Sequence, residues 1–195
     1  MSFENKVFGV LGDTHLPGSS GVRRLWDRWI TRGVQWEDLL REIQRIWGSV
    51  DGIFHTGDLA HPYVLESLRE FFQVPVVAVR GNADRGGWAL ALPLIHTETI
   101  LGKRITVIHG WGSPRYLVDR IAHRIGWGNC EVVLFGHSHL PFLQRIEGTL
   151  WLNPGSPTDR YFAPYRSVGR LVVTPQGVEG EILRIAVEPD QPPTR

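Results

Sequence analysis

Cysteine and methionine are nearly absent, one of each in 195 residues. Cys130 alone cannot close an internal disulfide, and without a CxxC pair the chain offers neither a thiolate zinc site nor a redox dithiol. An excess charge of one sign is missing too. Lys plus Arg number 21 against 20 Asp plus Glu, so the formal net charge of +1 gives no overall field of the kind that holds proteins on duplex nucleic acid. No long duplex partner is expected, and any anion site must be local. No stretch approaches the roughly 18 consecutive apolar residues of a membrane span, and residues 1–6 lead into only a short apolar run. The expectation is a cytoplasmic, reducing setting and no membrane partner.

What is present suits an ordinary globular domain. Hydrophobic residues make up 42% and charged residues 21%, which provides a core and excludes a disordered or collagenous chain. The length fits one domain over residues 1–187, followed by a Pro-rich tail, 188–195, expected to be disordered. Short apolar runs at 6–11, 52–55, 76–80, 105–108 and 132–135 read as strands, the first suited to burial on both faces. Leu39, Leu40, Ile43, Ile46 and Trp47 repeat at helical spacing behind Glu37 and Asp38, where the helix dipole favours negative charge. Val64, Leu65, Leu68 and Phe72 after Pro62, and Leu117, Val118, Ile121 and Ile125 before Gly126, predict two further helices. The last third predicts strands at 142–146, 149–152, 168–173 and 181–187, with turns at Glu147-Gly148 and Gln176-Gly177. Residues 16–36 begin with a Pro/Gly/Ser loop signal and continue into a short amphipathic pattern.

Five of the strand candidates end in a glycine beside Asp, Asn or His: Gly12-Asp13, Gly57-Asp58, Gly81-Asn82, His109-Gly110 and Gly136-His137. Ligands of open α/β sheets sit beyond the carboxyl ends of the strands, and glycine lets backbones crowd there. The five turns supply Asp13, His15, Asp58, Asn82, His109, His137 and His139. Seven oxygen and imidazole donors are too many for one transition ion but suit two divalent ions sharing a carboxylate. Without thiolates the candidates are manganese first, then iron, nickel, cobalt or zinc, rather than calcium. Two divalent ions, two carboxylates and one bridging hydroxide leave about one positive charge, matched to a phosphodiester, and such a hydroxide could attack phosphorus in line. A small phosphoester is therefore the expected substrate.

These residues resemble the calcineurin-like metallophosphoesterase superfamily, whose motif series is DxH, GD, GN, H and GHxH. Here it reads Asp13-Thr14-His15, Gly57-Asp58, Gly81-Asn82, His109 and Gly136-His137-Ser138-His139, complete and in order. Residues 79–84 and Asn153-Pro154-Gly155-Ser156 look like the small bacterial and archaeal phosphodiesterase branch, which is related to the retromer subunit of vacuolar sorting. The resemblance implies a four-layer α/β/β/α sandwich with two metals between strand-end loops. It places Asp13, His15 and His139 on one ion, Asn82, His109 and His137 on the other, and Asp58 between them. Asp58, Asn82 and His137 are the expected catalytic residues. A protein-binding scaffold of the same fold, as in the retromer subunit, is the alternative, and the complete ligand set argues against it.

The chain departs from the family pattern in three places. Ala83 follows the GN asparagine where many relatives carry a histidine, thought to protonate the leaving group. His61 stands where the phosphatase-type GDxxD motif has an aspartate, and 16–36 resembles an insertion. Arg24, Arg28 and Arg32 fall at helical spacing within it, and Arg24, Arg28 and His61 are the expected substrate contacts. Trp26 and Trp29 could stack on a base or pack a partner. His55, His96 and His123 read as ordinary core or surface imidazoles, and Asp84 as either a support for a metal ligand or a turn cap.

Overall fold

The computed structural model describes residues 5–16, 35–159 and 161–186. The expected tail at 188–195, the amphipathic pattern, Arg24, Arg28, Arg32, Trp26 and Trp29 lie outside the described residues. Ten strands, Lys6–Leu11 (β1), Gly52–His55 (β2), Val76–Ala78 (β3), Ile95–Ile100 (β4), Lys103–Ile108 (β5), Val132–Phe135 (β6), Phe142–Ile146 (β7), Thr149–Asn153 (β8), Ser167–Val173 (β9) and Val178–Arg184 (β10), are joined by helices Trp36–Trp47 (α1), Tyr63–Phe72 (α2), Gly87–Leu90 (α3) and Leu117–Ile125 (α4). They form two five-stranded sheets, ordered β10-β9-β1-β2-β3 and β4-β5-β6-β8-β7.

Alternation along the strands divides the apolar residues among three interfaces. Val10 and Phe54 point to the space between the sheets, where they meet Ile105, Val107, Val132, Leu134 and Leu152. Their neighbours Leu11 and Ile53 point the other way, against Leu39, Leu40, Ile43 and Trp47 of α1 and Val64, Leu65 and Leu68 of α2. On the second sheet, Val133, Phe135 and Trp151 pack outward on Leu117, Ile121 and Ala122 of α4. The result is the α/β/β/α sandwich that the resemblance implied. A strand with both faces covered reads as a continuous apolar run, which is why VVLF of β6 is buried throughout.

β1, β2 and β3 are parallel, as are β5, β6 and β8, so within each sheet three carboxyl ends share one edge. The other strands are antiparallel neighbours. The two carboxyl edges meet at one end of the sandwich, and the loops there carry the site.

Some boundaries differ from the sequence expectation. β3 stops at Ala78 rather than continuing to residue 80, although the Val79 amide still donates to His55 O at 3.1 Å. β10 covers Val178–Arg184 instead of 181–187. Its register is set by the preceding turn, in which Thr174 and Gly177 bond through their backbones and the Thr174 hydroxyl accepts from Gly177 N at 3.0 Å. β4 has no counterpart among the expected strands. Its IHTETI sequence has an edge-strand character, polar between isoleucines, and it joins β5 through a two-residue Leu101-Gly102 turn with φ of 48° and 77°. The four-residue α3 has no counterpart either.

Trp47 shows how tightly α1 sits on the first sheet. It is 2% exposed, its indole Nε1 donates to Gly169 O at 2.9 Å, and its ring lies 5.4 Å from that of Phe72. A Cβ on Gly9 would come within 2.5 Å of the indole, so β1 needs glycine at that point. Trp47→Ala should lower the unfolding free energy by about 3–5 kcal/mol, and Gly9→Ala by about 1–3 kcal/mol through overpacking. Urea denaturation followed by circular dichroism measures both.

Candidate metal centre

Seven side chains converge where the five turns meet. Asp13 and His15 follow β1, Asp58 follows β2, Asn82 follows β3, His109 follows β5, and His137 and His139 follow β6. All seven residues expected as ligands are brought together. Five of the seven form two overlapping groups, Asp13 with His15 and His139, and Asp13 with Asp58 and His109. His15 Nε2 lies 3.1 Å from His139 Nε2 and 3.3 Å from Asp58 Oδ2. On the other side Asn82 Oδ1 is 3.1 Å from His109 Nε2 and 2.8 Å from His137 Nδ1, while Asp58 Oδ2 is 3.4 Å from His109 Nε2. Asp58 thus touches both sets. Neighbouring ligands of a cation with bonds near 2.1 Å sit about 3 Å apart, so these spacings fit the edges of coordination shells.

The tautomers point the same way. A carbonyl only accepts, so His109 Nδ1 must donate to Thr56 O at 2.8 Å and His137 Nε2 to Gly112 O at 2.9 Å. Each ring then turns its other nitrogen toward Asn82 Oδ1. The donors present, imidazole, carboxylate and amide oxygen without thiolate, fit a divalent transition ion.

The charges are strongly coupled. Burial pushes the Asp58 carboxyl up, but hydrogen bonds and charge from His109 and His15 outweigh it and hold the group well below the usual carboxylate range. Burial pulls His109 down, yet Asp58 and Asp13 raise it to about 9. His55, fully buried, is pushed down to about 3 by desolvation and then by the His109 charge, and stays neutral. Its Nδ1 accepts from Gly57 N at 3.2 Å, and its Nε2 is 3.2 Å from the Thr14 hydroxyl, so it links the first two loops.

A second layer of groups holds the ligands, and most of it is not evident from the sequence. Asp159 Oδ2 lies 2.5 Å from His139 Nδ1, turning Nε2 toward His15. Burial pushes the Asp159 carboxyl up, but the hydrogen bond and charge of His139 together with the Tyr161 and Phe162 amides outweigh it and lower the group. Asp84, for which the sequence allows either support or cap, serves as support: its carboxylate accepts from Asp58 N at 3.0 Å, Ala60 N at 2.8 Å and Gly81 N at 2.7 Å. Ser156 donates to Asp13 O at 2.7 Å and Thr158 to Thr14 O at 2.8 Å. The 153–156 turn thus braces the first loop. A signal for it was present in the Asn153-Pro154-Gly155-Ser156 motif, whereas nothing local marks Asp159.

His61 has a different setting from the ligands. Its Nδ1 accepts from Tyr63 N at 3.2 Å at the start of α2. Ala83 contributes its backbone, donating to Asp58 Oδ1 at 2.6 Å. A cleft of about 400 Å³ opens on the Asn82 and His109 side, bordered by Arg80, Leu94, Trp111 and Arg124.

The comparisons agree with this architecture. Residues 7–175 match the calcineurin-like phosphoesterase superfamily domain. A probable metallophosphoesterase of Methanocaldococcus jannaschii is 34% identical over 170 residues, covering 86% of this chain and 80% of that protein. Among solved structures, a novel archaeal phosphodiesterase superposes with a TM-score of 0.65 at 19% identity, covering 91% of this chain and 99% of its own. Vps29 of Chaetomium thermophilum gives 0.62 at 18% identity, covering 91% and 97%. At these identities the two structures speak for the fold alone. With its motif series intact and its matched region spanning both sheets, the chain belongs to the calcineurin-like phosphoesterase superfamily.

Proposed function

We propose that this protein is a binuclear metal-dependent phosphodiesterase acting on a small or nucleotide-like diester. The observation that carries the proposal is the pair of donor sets that overlap at Asp13, with Asp58 Oδ2 within 3.3 Å of His15 and 3.4 Å of His109 and the imidazole tautomers fixed so that a nitrogen of each ring faces inward. Bound ions would supply a water ionised near neutral pH and Lewis-acid stabilisation of the phosphoryl oxygens. Manganese is the first candidate, with iron, nickel, cobalt and zinc the others. Asp13, His15 and His139 would hold one ion, Asn82, His109 and His137 the other, and Asp58 both.

The protein's own groups orient these ligands and limit the choice of substrate. Asp159 keeps a His139 proton on Nδ1, and Gly112 O keeps a His137 proton on Nε2, so each ring turns its other nitrogen toward the centre. The Ala83 amide orients Asp58 through Oδ1 and leaves Oδ2 toward the histidines. Ala83 has no side chain able to protonate a leaving group, which favours diesters with good leaving groups. Arg24, Arg28 and His61 remain candidate substrate contacts. The near-neutral chain and the size of the cleft favour small substrates over long duplexes. The Vps29 likeness supports the alternative of a protein-binding scaffold, but the retained ligand set favours catalysis.

Purified protein loaded with manganese should hydrolyse a chromogenic phosphodiester and hold two ions per chain by elemental analysis. No turnover on any diester with any of the five metals would overturn the enzyme reading. Asp58→Ala should lose occupancy at both positions, because the carboxylate also offsets repulsion between the cations. Full double occupancy in that variant would remove the bridging assignment. Asp159→Asn should weaken metal affinity by about 10- to 100-fold through loss of the His139 partner, as a competition titration with a chelating dye would show.

The leaving group offers a separate test. General acid catalysis is typically worth about 10² to 10⁴-fold, most for strongly basic leaving groups. The wild-type rate should therefore fall steeply as leaving-group pKa rises. Ala83→His should flatten that line when log rate is plotted against leaving-group pKa with one metal. Equal, shallow slopes would mean another acid operates, and His61→Ala would then steepen the line.

A further inference from the structure

The cleft beside Asn82 and His109 combines three features that point to one ligand. Arg80, half-buried just beyond β3, and Arg124, exposed in the last turn of α4, both line it. Among the described residues neither guanidinium has a hydrogen bond or an ion pair. A guanidinium whose donors no protein group takes up is well matched to a phosphate, which it can grip with two parallel N–H groups.

The second feature is an indole. Trp111 is 41% exposed at the cleft, next to Leu94 at 55%. Its backbone is fixed, since the Arg120 guanidinium donates to Trp111 O at 2.9 Å and also to Ser113 O. Gly112 O, between those carbonyls, accepts from His137 Nε2. The loop that carries the indole is therefore tied to the His137 ring.

The third feature is size. At about 400 Å³ the cleft falls in the range of small-molecule sites, roughly 300–1,000 Å³, and it includes two of the expected ligands, Asn82 and His109. A phosphoryl group at the centre would leave most of that space unfilled. Stacking of a base on an aromatic side chain is worth about 1–3 kcal/mol, and the neighbouring guanidiniums add a place for negative charge beyond the scissile phosphate.

Resting on the phosphodiesterase reading above, we propose that this cleft seats one nucleoside arm of the substrate, with its base on Trp111 and a second phosphate on Arg80 and Arg124. The substrate class is then a small diester in which at least one arm is a phosphorylated nucleoside. The cleft acts on binding and selection, not on the bond-breaking step.

Three probes separate the contributions: methyl p-nitrophenyl phosphate, the p-nitrophenyl ester of thymidine 5′-phosphate, and that ester carrying a 3′-phosphate. With manganese-loaded protein, kcat/KM should rise along that series. Trp111→Ala should lower kcat/KM on both thymidine esters by roughly five- to a hundredfold and change the methyl ester less than twofold. The double variant Arg80→Gln, Arg124→Gln should abolish only the gain from the 3′-phosphate. Equal losses on all three esters, or none on any, would overturn the assignment. Calorimetric titration with thymidine 3′,5′-bisphosphate gives a readout independent of turnover. If no ester is hydrolysed, the phosphodiesterase reading fails by itself. Bisphosphate binding that weakens at least fivefold in both variants would still support the cleft, whereas absent binding, or binding unchanged by the substitutions, would overturn it.

Discussion

The site depends on how closely strand ends from two sheets can approach one buried carboxylate. Asp58 is 2% exposed, and the backbone at Gly81 passes so near that a Cβ there would lie 2.1 Å from its Oδ1. Gly57, with φ of 96°, has the same constraint toward His109, whose Nδ1 would be 2.8 Å from an added Cβ. Packed sheets stand about 10 Å apart, so no ladder of hydrogen bonds can bring their strands together at that edge. The loops must lean inward instead. What fixes the separation they have to cross is the middle core, Val10 and Phe54 against Val107, Val132 and Leu134. The ligand spacing is thus set by residues that never touch a ligand.

Leaning inward has a conformational cost. Asp13, His15, Asp58, His137 and His139 all have positive φ, as does Ala60 beside them. Left-handed backbone costs about 1–2 kcal/mol for an ordinary residue, and only Asp, Asn and His among non-glycines visit it with any frequency. The residues whose donors suit a metal are thus also residues that tolerate the required backbone. Hydrogen bonds between loops hold the strained turns in place: Asp13 N to Gly57 O and His15 N to Asp58 O, both at 3.0 Å, and the three amides gathered by Asp84. The loops after β1, β2 and β3 therefore support one another, and the turn after β8 braces the first through Ser156 and Thr158.

The same two properties, burial on both faces and crowding at the strand ends, decide what is legible in the sequence. A strand buried on both faces announces itself as an apolar run, and the glycine that ends it, next to a polar residue, marks a crowded loop; those two signals locate the seven side chains that converge at the site. The layer arrangement comes from the family resemblance, because apolar runs do not say which sheet a strand joins. β4 escapes detection since its alternation of isoleucine with His, Thr and Glu lacks the apolar run of the central strands. Asp159 escapes for a different reason. It acts on His139 from 20 residues away, and a carboxylate that orients an imidazole has no local signature. Arg80 and Trp111 are likewise invisible as neighbours, because the cleft exists only once the loops after β3 and β5 lie side by side.

Charge at the centre is a further consequence of the crowding. Buried Asp13 and Asp58 face several imidazoles whose outer nitrogens are already committed to Thr56 O, Gly112 O and Asp159. Asp58 and Asp13 accordingly raise His109 to about 9 despite its burial. A cation bound in the proposed centre would compete with a proton on His109, because it would satisfy both the carboxylates and the inward lone pair at once. His55, one step removed and bonded to Thr14 and Gly57, is pushed the other way, to about 3, first by burial and then by the charge of His109. The fold thus sets two neighbouring imidazoles apart, raising His109 and keeping His55 neutral as a tie between loops, and it does so through burial and partners rather than through residue type.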